Sequence, residues 1–196
     1  MPVSVQRLVL ASGSPYRRVL LERLRVPFEW HAPEIDESAR PGEAPREHAG
    51  RLAHAKATAL RTRFPHAWLI GSDQVAVCNG DVLGKPGSAE RARRQLAAVS
   101  GRSVRFLTAV CLVDADSGAA QAHVDETTVK LRELSPAQIE RYVRLDQPFD
   151  CAGSFRAESL GIALFERNDS SDPTALVGLP LIWLAGALSR AGFEVP

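Results

Sequence analysis

Leu8-Val9-Leu10-Ala11 is apolar without interruption, the pattern of a strand buried on both faces. It runs into Ser12-Gly13-Ser14-Pro15, where Ser14 suits a helix N-cap and Pro15 the first helical position. A helix is predicted to about Arg25, with Val19, Leu20, Leu21 and Leu24 as its apolar stripe and Pro27 as its stop. Residues 32–44, rich in Pro, Gly and acids, read as a loop. A second helix is predicted over Pro45 to Arg63, with Leu52, Ala53, Ala57 and Leu60 inward. Trp68-Leu69-Ile70-Gly71 reads as another buried strand, ending in Ser72-Asp73-Gln74. Val75-Ala76-Val77-Cys78 and Asp81-Val82-Leu83 flank Asn79-Gly80, the strongest two-residue hairpin signal.

Further along, Ser88 caps a predicted helix that runs to about Val99 and stops at Gly101. Val104 to Val113 forms a long strand, Asp116-Ser117-Gly118 a turn, and Ala120 to Leu131 an alternating partner strand. Ser135-Pro136 repeats the cap-and-proline grammar and opens a helix to about Leu145. Leu160 to Phe165 is strand-like, and a last helix is expected over Thr174 to Arg190, closed by Gly192. Trp183, Leu184 and Leu188 fall at helical spacing and read as core. Strands and helices alternate before a long antiparallel pair, which predicts a mixed α/β sheet.

At 196 residues the chain is expected to be one domain, residues 1–196, able to bury its core without staples. Lys and Arg number 24 against 23 Asp and Glu, a near-neutral balance that argues against a partner as anionic as a nucleic-acid polymer. The three cysteines, Cys78, Cys111 and Cys151, form no C-x-x-C pair, so no zinc or redox motif is read. The N-terminal Met-Pro-Val-Ser-Val-Gln-Arg lacks an apolar leader stretch, and no apolar run reaches the roughly 20 residues of a membrane span. A cytoplasmic protein without a membrane partner is expected. The five histidines show no ligand spacing and receive no role.

The turn Ser12-Gly13-Ser14-Pro15-Tyr16-Arg17-Arg18 carries the first chemical signal. A strand that turns into a helix N-terminus exposes free N–H groups and the positive end of the dipole. Two arginines in the first helical turn are misplaced for that dipole unless an anion sits there. Arg also suits bidentate phosphate contacts. Asp73, in Gly71-Ser72-Asp73-Gln74, lies at the end of a buried strand, where α/β proteins place active sites. Lys85 is held between Gly84 and Pro86, Lys56 sits between two alanines on a helix, and Glu34, Asp36 and Glu37 form an acidic loop cluster of the kind a Mg²⁺ site uses. Read singly, each has an ordinary alternative: solvated arginines and lysines, a turn-capping Asp, an acidic surface loop.

Taken together these segments resemble the signature of the Maf family of nucleoside triphosphate pyrophosphatases. The loop turn, Glu34-Ile35-Asp36-Glu37, Lys56, Gly71-Ser72-Asp73-Gln74 and Gly84-Lys85-Pro86 follow in that family's order, and the likeness extends to Val177-Gly178-Leu179-Pro180. The resemblance implies a mixed sheet with flanking helices, two lobes around a central nucleotide cleft as in Maf- and ITPase-like proteins, and a homodimer. It implies hydrolysis of a nucleoside triphosphate to the monophosphate and pyrophosphate with a divalent metal, Mg²⁺ or Mn²⁺. Asp73 is similar to the family's proton acceptor; Arg17, Arg18, Lys56 and Lys85 to its triphosphate clamp; Ser12 to its loop serine at the phosphates. Glu37, with Asp73 again, would face the metal. Whether Asp73 acts as base or as metal ligand stays open.

Within the family, Tyr16, Gln74 and Glu158, the last in Cys151-Ala152-Gly153-Ser154-Phe155-Arg156-Ala157-Glu158-Ser159, resemble the branch acting on 7-methyl-GTP. The chemistry agrees: N7-methylation makes guanine cationic, an aromatic face attracts a cation, and a carboxylate can pair with the charge and accept from the base N–H groups. Gln74 can donate or accept. Tyr16 stands where that branch is associated with Trp. The alternatives are dTTP/UTP hydrolysis, and a non-catalytic nucleotide-binding regulator of cell division.

Overall fold

The chain, described over residues 6–196 of a computed structural model, builds one sheet from seven strands. Met1–Val5 lie outside the described residues, and most of the expectation about a leader falls there. The strands are β1 (Arg7–Ala11), β2 (Glu29–His31), β3 (Ala67–Cys78), β4 (Asp81–Leu83), β5 (Ser103–Asp114), β6 (Ala120–Leu131) and β7 (Phe165–Asp169). Their order is β2-β1-β3-β5-β6-β7, with β4 paired to β3 off that path. β1 runs parallel to β2 and β3, whereas all other pairs are antiparallel. The sheet is therefore mixed, as the alternation of elements predicts.

Helices α1 (Pro15–Glu22), α2 (Pro45–Thr58), α3 (Ala89–Val99), α4 (Pro136–Asp146) and α5 (Leu181–Arg190) cover it. α2 packs Ala49, Ala53 and Ala57 onto one face, against Val9, Leu69, Val75 and Ala109. On the other face, α1 and α5 close over Leu8, Leu10, Ile70 and Leu112. Next to them α3 and α4 close over Ala76, Phe106, Val129 and Leu131. These last two clusters are the cores of two lobes. The segment 172–180 joins them, with Leu176 in one cluster and Leu179 in the other.

The cap chemistry works as read. Ser14, Ser88 and Ser135 each accept from the backbone N–H three residues on, and Gln138 completes a capping box with Ser135. Asn79 and Gly80 take positive φ in the hairpin turn.

Several expectations need correction. α1 ends at Glu22 rather than Arg25, because the chain turns through Arg25 at φ 57°; Val19 is 53% exposed, not core. α2 ends at Thr58, and Leu60 to Arg63 continue as tight turns with i→i−3 bonds, which still turn Leu60 inward. β2 carried no signal, being three residues at the sheet edge with no buried side chain. Leu160–Leu164 is a 3₁₀ helix and β7 begins only at Phe165. The last helix starts at Leu181: Ala175–Val177 is a separate 3₁₀ turn, cut off by Gly178 at φ 115° and Pro180. Leu184 and Leu188 are core as expected, while Trp183 is only part-buried and stacks on His123. Among the described residues no helix is long and apolar enough to cross a membrane.

Candidate active site

β3 positions the site, and in a way the sequence reading missed. Ser72-Asp73-Gln74 is not the end of a strand. β3 is continuous for 12 residues, because β5 pairs with it from Trp68 to Val77. On its opposite edge β1 pairs only as far as Gly71, and β4 begins at Ala76. Residues 72–75 thus lie in a gap along that edge. Strand alternation sends Asp73 toward the α2 face and Gln74 toward the other. The open edge lets one cavity reach both.

That cavity has a volume of about 540 Å³ and is lined by the Ser12–Arg17 turn, Glu37, Lys56, Asp73, Gln74, Lys85 and Glu158. Its size suits a ligand larger than a simple phosphate.

At one end stands an ion-paired cluster. Lys56 is only 7% exposed, and Asp73 8%. The Lys56 ammonium donates to Asp73 Oδ1 at 2.7 Å and lies 2.8 Å from Glu37 Oε1. Burial alone would raise the Glu37 carboxyl, but the Lys56 hydrogen bond and the charges of Lys56, Lys85 and Arg17 together hold it below its ordinary value. Burial lowers the Arg17 guanidinium, opposed by Asp73 and Glu37. Arg17 Nε donates to the Gly178 carbonyl at 2.8 Å, and its Nη1 reaches Ser12 Oγ at 3.4 Å. Ser12 Oγ also accepts from Ser14 N–H, which shapes the turn. Lys85 is exposed on the cavity rim, just after β4.

At the other end, Tyr16 donates its hydroxyl to Asp150 Oδ2 at 3.3 Å. Its phenol is pushed up to about 12, first by burial and then by Cys151 and Asp150. Gln74 Nε2 donates to Thr108 Oγ1 and to the carbonyls of Ala175 and Leu176, at 2.9–3.1 Å. Two carbonyl partners fix the amide orientation, so Gln74 offers the cavity its oxygen alone rather than both functions. Glu158 lies exposed in the mouth, and desolvation there raises its carboxyl above the usual range.

Arg18 is the predicted residue that the structure leaves out. Its guanidinium lies 4.8 Å over the Trp30 ring, outside the cavity lining. The reason is helical geometry: one residue after Arg17 is a step of about 100°, which turns Arg18 away.

Other residues enter that the sequence reading passed over. His48, Leu52 and Lys56 line the cavity from one face of α2, at i, i+4 and i+8. That spacing was available as a signal for His48. Its Nδ1 pairs with Glu43 Oε2 at 2.8 Å. Arg51 clamps Glu43 through both carboxylate oxygens and also bonds Ser38 O, which ties the acidic loop to α2 beside Glu37. Thr108 faces Gln74 across the β3–β5 register, which only strand pairing reveals.

Among the described residues no group of three His, Cys, Asp or Glu could hold a metal ion alone. Glu37 and Asp73 each give one oxygen to the Lys56 ammonium, so a metal ion would take their other oxygens, Glu37 Oε2 and Asp73 Oδ2. Two carboxylates completed by phosphate oxygens and water are a donor set that fits Mg²⁺.

The family model described as Maf-like protein matches residues 7–191. A protein of Xanthomonas campestris pv. campestris (strain 8004), named 7-methyl-GTP pyrophosphatase, is 56% identical over 190 residues, covering 97% of this chain and 98% of that relative. One of the same name from Pseudomonas syringae pv. tomato is 52% identical over 189 residues, covering 96% and 98%. Among solved structures, a HAM1 protein from Coxiella burnetii matches with a TM-score of 0.53 at 16% identity, covering 94% of this chain and 99% of that one. That last likeness speaks to the fold alone.

Proposed function

The chain belongs to the Maf family, and from that premise we propose that it is a pyrophosphatase that hydrolyses 7-methyl-GTP to 7-methyl-GMP and pyrophosphate. The observation that carries the reading is the cavity along the open edge of β3. It gathers a cation and carboxylate cluster at one end and an acceptor-lined pocket beside an aromatic ring at the other.

Water attacks the α-phosphorus, the bond from that phosphorus to the α–β bridging oxygen breaks, and pyrophosphate leaves. Charge grows on the phosphoryl oxygens, so preorganised cations stabilise the transition state. Arg17 and Lys85 hold the phosphates, and Ser12 shapes the turn around them. Lys56 takes Asp73 Oδ1 as its acceptor, which leaves Oδ2 to orient the attacking water and receive its proton. In the alternative assignment the same Oδ2, together with Glu37, would hold a divalent metal such as Mg²⁺ or Mn²⁺, which when bound neutralises phosphate charge as a Lewis acid. The base lies against Tyr16. Glu158 pairs with the charge of 7-methylguanine, and the Gln74 oxygen accepts from a base N–H.

The test is pyrophosphate release from 7-methyl-GTP, GTP, dTTP, UTP and CTP, with and without Mg²⁺ or Mn²⁺. Preference for 7-methyl-GTP is expected. Preference for dTTP or UTP would overturn the base-recognition part and leave the chemistry standing. Absence of turnover with any nucleotide and metal would turn the reading toward a nucleotide-binding protein. In that case light scattering with and without nucleotide would show whether ligand changes the assembly state of the expected homodimer.

A further inference from the structure

The loop between Asp172 and α5 contributes no charged side chain to the cavity, yet it holds two residues that do the recognition. The Gly178 carbonyl accepts from Arg17 Nε and from Ser72 Oγ, both at 2.8 Å. The Ala175 and Leu176 carbonyls accept from Gln74, and Ala175 also from Thr108 Oγ1. Three backbone carbonyls thus set the aim of a phosphate-binding guanidinium and of a base-reading amide.

What fixes the loop itself is Asp172, a carboxylate only 3% exposed. Its Oδ1 accepts from the Thr174 N–H at 2.9 Å and the Thr174 hydroxyl at 2.6 Å. Its Oδ2 accepts from Ile182 N–H in the first turn of α5, at 2.7 Å. Thr174 Oγ1 accepts in turn from Leu181 N–H and lies 2.9 Å from the Leu179 carbonyl. Pro180, at the N-cap position, has no side chain to cap the helix, and Asp172 and Thr174 do so from eight and six residues upstream. Asp172 therefore pins both ends of the loop to one helix terminus, where the dipole favours its charge.

We infer that Asp172 is a positioning residue: through the carbonyls of the 174–180 loop it aims Arg17 at the phosphates and Gln74 at the base. The inference rests on the proposed nucleotide reading of the cavity. It extends that reading to a residue that itself touches no substrate.

The test is Asp172→Asn, which keeps the shape but replaces one carboxylate oxygen with an amide that cannot accept from N–H. Steady-state kinetics on 7-methyl-GTP, GTP and UTP are compared with the folded fraction from thermal melts. Loss of aim should raise KM for the preferred nucleotide at least fivefold. It should also shrink its preference over the other nucleotides by a similar factor. A residue that only supports folding would lower kcat in proportion to the folded fraction, with KM and preference unchanged, and that result would overturn the inference. If the Asn variant does not fold, Thr174→Val removes the linked hydroxyl contacts and should give the same pattern, with Thr174→Ser restoring it. Unchanged KM and preference in Thr174→Val would equally overturn it. The wild-type panel run alongside separates the two claims. If wild type prefers a different nucleotide, the 7-methyl-GTP reading fails, and the effect of Asp172 is scored on the nucleotide actually preferred.

Discussion

The Lys56 ammonium is buried against Asp73 at 2.7 Å, and it also meets Glu37 at 2.8 Å. A lysine between alanines on a helix looks like a solvated charge, but here it is what allows two carboxylates to face one point. Asp73→Asn should retain nucleotide affinity and lose turnover by about 10²–10⁴-fold, the usual weight of a proton acceptor. Lys56→Met should do more. It leaves two carboxylates facing each other, and breaking a buried pair from one side costs about 3–5 kcal/mol. Binding by calorimetry, single-turnover rates and thermal melts separate the two variants. Full activity in Asp73→Asn would remove Asp73 from the chemistry.

Gly71 decides how closely α2 can approach β3. A Cβ there would stand 2.0 Å from Ala53 O and 2.7 Å from Ala57 N, both backbone atoms of the helix that carries Lys56. Gly71→Ala should therefore push α2 outward. Overpacking costs about 1–3 kcal/mol, and backbone contacts place this variant at the upper end or beyond. A melting temperature lower by about 6–12 °C is expected, with kcat reduced because Lys56 moves with the helix. Gly84→Ala is the control, since its Cβ would meet nothing within 4 Å.

Much of this was legible in the chain. Strand, cap and turn signals placed β1, the hairpin, α3, α4 and the β5–β6 pair, because each rests on local chemistry. The candidate cluster was legible as an ordered set of weak motifs. What failed was whatever depends on partners distant in sequence. Ser72-Asp73-Gln74 looked like a strand end because polar residues interrupt an apolar run, whereas β5 carries β3 straight through. β2 exists only because β1 offers it an edge. Helical grammar read Thr174 to Arg190 as one helix, while Gly178 at φ 115° and Pro180 break it, and Asp172 starts it afresh at Leu181.

Arg17 and Arg18 are adjacent in sequence and separated in space, and their variants should differ accordingly. Arg17 lines the cavity and holds Gly178 O, so Arg17→Ala loses a charge-assisted contact of about 1.5–3 kcal/mol, or roughly 10–100-fold in kcat/KM. Arg18 rests on the exposed Trp30 ring, a contact of about 0.5–1 kcal/mol. Arg18→Ala should leave kcat/KM within about threefold, by the ordinary small effect of surface changes. Equal losses in the two variants would mean that Arg18 swings into the cavity when nucleotide binds.

The Glu43–Arg51 clamp predicts a pH dependence of stability. Two hydrogen bonds from Arg51, helped by the Arg40 N–H and by His48, hold the Glu43 carboxyl far below its ordinary 4.5. The unfolded chain takes up this proton at higher pH than the folded one does. The stabilisation is therefore complete above about pH 4.5 and drains away as pH falls below it, through the folded value. Wild type should lose more melting temperature between pH 7 and about pH 3.5 than Glu43→Gln does. Equal slopes would mean the clamp is formed in the unfolded chain or contributes nothing.

Glu158 gives the most direct test of what the base pocket reads. Desolvation raises its carboxyl above 4.5, with Arg156 pulling it down and Asp146 and Asp150 pushing it up. At neutral pH it is a carboxylate that the fold disfavours, which a bound cation would compensate. A raised acid contributes stability that is present below its unfolded value and lost as pH rises through the folded one. Glu158→Gln should therefore be at least as stable as wild type at pH 7. The same variant keeps an acceptor for base N–H groups and loses only the charge. Its preference for 7-methyl-GTP over GTP should fall about two- to fivefold, the size of a solvent-screened ion pair of about 0.5–1 kcal/mol. In wild type that preference should shrink as pH is lowered toward the raised carboxyl value, while in Glu158→Gln it should stay flat. Competition assays with the two nucleotides at several pH values read both effects. A Gln variant that still prefers 7-methyl-GTP as strongly as wild type would mean that the methyl group is recognised by the Tyr16 side of the pocket instead.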